Sequence, residues 1–312
     1  MSNEERPEEL AEERAGEQAE KQIEQPPQEA EVAKEKAELM IRRILVALDT
    51  STDSLAALQA AANLAAIMEA KLMGLFVEDV NLLRLAQLPF AREVCWPTAS
   101  GRPLDEERME RELRLRASQA RRALAYAAEE AEAEWTFQVV RGTVTAKVLE
   151  AALEADLLSL GRASRSLGHR RLGSTARAAA EQAPGSVLLA QRGADLQRPI
   201  VVTYDGSPAG WRALAAAVRM AQTNDSNLVV LVMAEEADAA PRLAEEASTW
   251  LKERVPHANY RYLPTGNGDA LVKVLQENEK GLIVLGGESE LLQGGALQRL
   301  LDELDCPVML VR

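Results

Sequence analysis

The stretch Gly161-Arg162-Ala163-Ser164-Arg165-Ser166-Leu167-Gly168-His169-Arg170-Arg171-Leu172-Gly173-Ser174-Thr175 has the types and spacing that suit a phosphate. Gly161 permits close backbone approach. Gly173-Ser174 sets amides and a hydroxyl at the start of a helix, where the dipole favours an anion. No acidic residue falls between Asp156 and Glu181, whereas Arg162, Arg165, Arg170, Arg171 and Arg177 supply cations in a chain of net charge −13. The competing reading is structural: Ser174 caps its helix and the arginines pair with Glu on neighbouring helices. A second candidate is Asp49, followed by Thr50-Ser51-Thr52-Asp53, whose carboxylate either caps the next helix or meets ribose hydroxyls. His169 reads as an exposed loop histidine. With 2 His in all and no GxxxxGK[ST], HExxH or GxSxG, the chain carries no dedicated catalytic centre. Slow hydrolysis of a bound phosphoanhydride through a carboxylate and a metal is compatible with these residues but not demanded by them.

Positioning these groups falls to short apolar strands alternating with Ala-rich helices, the pattern of βα units around a parallel sheet buried on both faces. Strands are expected at 43–49, 71–78, 135–141, 156–161 and 186–192, with helices near 54–70, 106–132, 145–155 and 174–182. The series then restarts, with strands at 200–204, 227–233, 259–263, 282–286 and 307–311 and a helix at 209–222. Ile44-Leu45-Val46-Ala47-Leu48-Asp49-Thr50-Ser51 matches Ile200-Val201-Val202-Thr203-Tyr204-Asp205-Gly206-Ser207, and Asp156-Leu157-Leu158-Ser159-Leu160-Gly161 matches Gly281-Leu282-Ile283-Val284-Leu285-Gly286. The two offsets differ by about 31 residues, an insertion placed around 82–105, where Pro89, Pro97, Gly101 and Pro103 mark a loop. Open α/β sheets bind ligands beyond the carboxyl ends of their strands, where Asp49 and the Gly161 turn would meet.

Composition narrows the partners. Of 312 residues 47% are apolar, enough for two full cores, but 4 Trp, 4 Tyr and 3 Phe give no rows of stacking rings. The net negative charge argues in the same direction, against nucleic acid. Cys95 and Cys306 form neither a CxxC nor a zinc pattern, and no apolar run of about 18 residues occurs. A cytoplasmic protein without a membrane segment is expected. Residues 1–40 hold 13 Glu against 5 Lys or Arg, net −8, and too few large apolar side chains to order themselves. They read as a mobile acidic arm, either a solvating extension or, over 28–40, a docking arm that helps assembly. The division is then 1–40 arm, 41–194 first domain with the insertion, and 198–312 second domain.

The tandem arrangement, the strand-end Asp49 and Asp205 and the Gly turn before a helix resemble the universal stress protein family. The resemblance implies two tandem open parallel five-stranded sheets of order 3-2-1-4-5 flanked by helices. In nucleotide-binding members the turn reads Gly, two residues, Gly, nine residues, then Gly with Ser or Thr. Here Gly161 and Gly173-Ser174 correspond, Ser164 replaces the second Gly, and the loop is one residue short. By that resemblance Asp49 lies by the nucleoside, backbone groups near Phe76 and Val77 hold the adenine, and Gly161, Ser164, Arg170, Gly173, Ser174 and Thr175 surround the phosphates of ATP, with or without Mg²⁺. It also implies that the last strands, near 187–191 and 308–311, join the two repeats as a pseudo-dimer; a further homodimer and a protein partner stay open. After Gly286-Gly287 the second repeat reads Glu288-Ser289-Glu290, whose carboxylates would repel phosphates, so Asp205 there serves turn geometry. The expected function is a stress-response or regulatory protein that binds an adenine nucleotide in its first domain. The alternatives are a ligand-free tandem scaffold and, less well matched, an enzyme that adenylates a substrate.

Overall fold

The computed structural model describes residues 41–95, 100–162, 172–191, 199–224, 226–234, 238–255, 257–264, 268–277, 281–287, 296–304 and 306–312. The acidic arm, Ser164 and Arg170 lie outside the described residues.

In the N-terminal half β1 (Arg43–Ala47) leads to α1 (Thr52–Met68), β2 (Lys71–Asp79), α2 (Val80–Ala86), β3 (Arg92–Cys95), β4 (Ser100–Pro103), α3 (Glu106–Glu130), β5 (Trp135–Gly142), α4 (Val144–Ala152), β6 (Leu157–Gly161), α5 (Ser174–Gln182) and β7 (Ser186–Ala190). The C-terminal half continues with β8 (Ile200–Tyr204), α6 (Pro208–Asn224), β9 (Leu228–Ala234), α7 (Ala239–Leu251), β10 (Asn259–Pro264), α8 (Gly268–Glu277), β11 (Ile283–Gly286), α9 (Ala296–Glu303) and β12 (Val308–Val311). The 82–105 insertion, expected as a loop, is a short helix and an antiparallel hairpin. Asp79 caps α2 by accepting from the Asn81 amide at 2.9 Å, and the Arg102–Glu93 pair at 2.7 Å ties β4 to β3.

One sheet contains ten strands in the order β10-β9-β8-β11-β12-β7-β6-β1-β2-β5. Within each half the strands are parallel and follow the expected order 3-2-1-4-5. At the centre β7 and β12 run antiparallel, with Leu188 opposite Met309 and Val187 opposite Leu310. The two five-stranded sheets are thus continuous with one another.

The strands are apolar because helices cover both faces. One core lies beneath α1, α3, α6 and α7, with Ile44, Leu72, Leu188, Tyr204, Trp211 and Met309; the other lies beneath α4, α5, α8 and α9, with Leu45, Leu158, Leu189, Val308 and Leu310. Alanines 57, 61, 62 and 65 of α1 are buried and let that helix lie close on the sheet. Helix α3 buries Leu113, Ala117, Ala120, Leu124 and Ala127, while its outer face carries the i,i+4 pairs Arg111–Glu107 and Arg114–Glu110. Among the described residues no helix is long and apolar enough to cross a membrane.

Candidate functional site

The β1–α1 connection is built by local hydrogen bonds. Asp49 Oδ1 accepts from the Ser51 amide at 2.9 Å, and Ser51 Oγ accepts from the Ser54 amide at 3.1 Å, capping α1. Between them Thr50 adopts φ 64°, a left-handed conformation that costs a β-branched residue dearly. The same turn recurs in the C-terminal half: Asp205 Oδ1 accepts from the Ser207 amide at 3.0 Å, Ser207 Oγ accepts from the Gly210 amide at 3.0 Å, and Gly206 has φ 78°. The carboxylate therefore serves the turn in both halves. Asp49 is nonetheless exposed at the carboxyl edge of the sheet, whereas Asp205 is half-buried.

At the end of β6, Gly161 lies against the start of α1: a Cβ there would be 2.6 Å from the Asp53 carbonyl carbon and 2.8 Å from the Ser54 nitrogen. Gly286 makes the same approach to Ala209, with 3.0 Å to its carbonyl carbon. Close helix-on-strand packing thus explains both glycines, and it places the Asp49 loop beside the Gly161 strand end.

The chain leaves the sheet at Arg162 and returns at Leu172-Gly173. The two ends are pinned together, since the Gly173 amide donates to the Arg162 carbonyl at 3.2 Å and the Arg162 amide to that of Ala190 at 2.8 Å. Gly173, not Ser174, is the N-cap of α5, and no side chain caps that helix. Its first-turn amides keep their partial positive charge on this edge. Among the described residues a Cβ on Gly173 would meet nothing within 4 Å, and its φ of −62° requires no glycine. Neither packing nor backbone conformation accounts for this glycine. Ser174 is exposed, while Thr175 Oγ1 lies 3.0 Å from Thr145 Oγ1 at the start of α4. Thr145 gave no sequence signal, because only the tertiary fold brings α4 beside α5.

Alternation along β2 separates the two adenine candidates. The Lys71 amide donates to Arg42 beside β1, and the Leu72 amide to Glu134 beside β5. Odd-numbered residues therefore face β1 and even-numbered ones β5. Phe76 directs its backbone groups to the β5 ladder and its ring into the core. Val77 directs its amide and carbonyl towards β1, whose ladder has ended at the Ala47–Leu75 pair.

The arginine expectation needs correction. Arg162 is buried at 5% exposure and donates from Nη1 to the Cys306 carbonyl at 2.9 Å; Arg177 donates from Nη1 to Gln298 Oε1 at 2.5 Å and from Nη2 to Asp302 Oδ2 at 3.4 Å. Both reach the C-terminal half. Arg165, Arg170 and Arg171 lie outside the described residues. Among the described residues no group of three or more His, Cys, Asp and Glu is arranged to hold a metal ion.

The fold is an open, doubly wound α/β sheet, with Asp49, Val77, Gly161, Gly173, Ser174 and Thr175 at the carboxyl edge of the N-terminal half, where sheets of this kind bind ligands. Residues 40–191, just under half of the chain, match the model of the Universal stress protein family. A universal stress protein from Archaeoglobus fulgidus DSM 4304 superposes with TM-score 0.66 at 15% identity, over 86% of this chain and 98% of that one. A putative universal stress protein from Pseudomonas aeruginosa UCBPP-PA14 gives TM-score 0.56 at 17% identity, over 88% and 94%. These likenesses cover both halves and concern the fold alone. No curated protein matches the chain.

Proposed function

We propose that this protein is a nucleotide-responsive regulatory protein whose N-terminal half binds an adenine nucleotide, ATP above all. The observation that carries the reading is Gly173. It heads a helix that no side chain caps among the described residues, has no described atom within 4 Å of an added Cβ, and shares the sheet edge with the exposed Asp49 and the backbone of Val77. Phosphate oxygens accept from the Ser174 and Thr175 amides, and the Ser174 hydroxyl adds a further donor. Val77 offers one amide and one carbonyl, the pair an adenine edge can meet. Asp49, exposed at the same edge, faces the ribose with its carboxylate. By the family resemblance, Ser164 and Arg170 of the intervening turn are further phosphate partners. Mg²⁺, when it accompanies ATP, takes its ligands chiefly from phosphate and water. The C-terminal half lacks the Gly-Ser helix start and contributes no second site.

Equilibrium titration with radiolabelled ATP tests the reading. Saturable binding with one site per chain is expected, with at least ~10-fold weaker binding for Gly173→Val, where branched carbons enter the phosphate space and deprive charge-assisted hydrogen bonds of their geometry. Arg170→Glu weakens binding similarly, and substitution of Gly294 leaves it unchanged. An absence of saturable binding by the wild type leaves the scaffold reading in its place, and equal losses at Gly173 and Gly294 contradict a single N-terminal site.

A further inference from the structure

Both ends of the 163–171 segment are fastened to the opposite half of the chain. The Asp302 carboxylate, on α9, accepts from the Leu172 amide at 3.2 Å through Oδ1 and from Arg177 Nη2 at 3.4 Å through Oδ2. At the other end of the segment Arg162 donates to the Cys306 carbonyl, four residues beyond Asp302. Leu172 directly precedes Gly173, so the place where α5 begins is set by a side chain of the C-terminal half. The pseudo-twofold relation between the halves clarifies the arrangement. Leu188 and Met309 pair at its centre, 121 positions apart. The same offset makes Arg177 equivalent to Gln298 and Glu181 equivalent to Asp302. Arg177 bonds Asp302 and, as its mirror, Gln298 donates to Glu181. Asp302 does more than complete this side-chain pair, because its other oxygen holds a backbone amide at the mouth of the site.

We propose that Asp302 is a positioning residue, which clasps the Leu172-Gly173 turn from across the central strand pair and so aims the first amides of α5 at the nucleotide phosphates. The ligand rests on the nucleotide reading above; the clasp itself does not. A bound nucleotide that tightens this turn tightens the seat of α9 by the same free energy, since linkage is reciprocal. Occupancy of the N-terminal half is thereby conveyed to the C-terminal half.

In the full chain, hydrogen exchange of the 172–176 amides is read without nucleotide, and ATP affinity by titration, for wild type, Asp302→Ala, Asp302→Asn and the exposed control Arg299→Ala. Asp302→Ala is expected to speed Leu172 exchange and weaken ATP binding, each by ~10-fold, the loss of a hydrogen bond to a charged acceptor. Asp302→Asn keeps an oxygen for the Leu172 amide and recovers most of the protection. The control stays within about twofold. Unchanged Leu172 exchange in Asp302→Ala overturns the clasp. So does protection lost equally in β1, which signals global opening. Faster exchange with unaltered ATP affinity overturns the positioning role. Failure of the wild type to bind ATP removes the nucleotide reading and that role together, while the exchange data still decide the clasp.

Discussion

Thr50 and Gly206 occupy the same left-handed turn position in the two halves, and only one of them is a glycine. The left-handed well costs a non-glycine residue about 1–2 kcal/mol, offset in part by the greater unfolded-state freedom of glycine. Thr50→Gly should therefore stabilise the protein by about 1 kcal/mol, measured as a shift in the urea midpoint. The reverse change, Gly206→Thr, should cost more, about 2 kcal/mol or above, because its Cβ would also lie 2.8 Å from Leu243 Cδ2. Gly161→Ala and Gly286→Ala should each destabilise by about 1–3 kcal/mol, since the helix backbone they meet cannot swing aside as a side chain would. A neutral Gly161→Ala would contradict the packing role given to that glycine.

At the scale of elements, α6 and α7 of the C-terminal half enclose an aromatic cluster. Tyr204, Trp211 and Trp250 meet edge to face at 5.0 and 5.7 Å, and the Arg254 guanidinium lies 4.4 Å from the Trp250 ring centre. The Tyr204 hydroxyl donates to Glu246 Oε2 at 3.1 Å. Burial first, then the Glu246 charge and hydrogen bond, push the Tyr204 phenol far above its ordinary 10.0. The folded state thus holds this proton to higher pH than the unfolded chain does. Its contribution to stability is complete below pH 10 and declines as pH rises beyond that value, by about 1.4 kcal/mol per pH unit. Tyr204→Phe should cost about 1 kcal/mol at pH 7 for the lost hydrogen bond yet show a shallower fall between pH 10 and 11.5. Urea midpoints across that range, with Trp fluorescence as the signal, check it; parallel curves for the two proteins would rule it out.

Across the whole molecule, the halves meet through backbone pairing at β7–β12 and through cores that pass from one half to the other. Arg312 extends the junction by donating to Ala180 and Ala183 near the end of α5. A junction so apolar, with Leu188, Met309, Val187 and Leu310 all buried, should make unfolding cooperative over the entire sheet. Calorimetry should give one transition whose van't Hoff and calorimetric enthalpies agree; two resolved transitions would show that the halves unfold independently. Leu188→Ala, which opens a cavity at the pseudo-twofold centre, should lower that single transition by about 2–5 kcal/mol without splitting it.

The strands and the helix starts at Ser174 and beneath Ser51 and Ser207 were legible in the sequence because they depend on local causes, namely apolar strand runs, turn glycines and the repeated Asp-x-Ser turn, whereas the strand order came from the family resemblance. Those same causes make the Asp49 turn readable twice over, from either half. Other matters depended on what the fold brings near. Arg162 and Arg177 look like phosphate ligands in a stretch without acids, but the antiparallel join sets Cys306, Gln298 and Asp302 within their reach, and a buried guanidinium bonds the nearest acceptor. The 82–105 segment reads as a loop from its prolines, yet cross-strand pairing makes it a hairpin. The difference between Phe76 and Val77 is likewise invisible in their identities, since it arises from which neighbour each backbone edge faces and from where β1 stops. Sequence alone therefore determined the ten strands of the large sheet, helices α1, α3, α4, α5 and α6, and the repetition, which rest on each residue and its near neighbours. Tertiary structure alone decided that Arg162 and Arg177 fasten the halves, because a side chain's partner depends on contacts more than a hundred residues away.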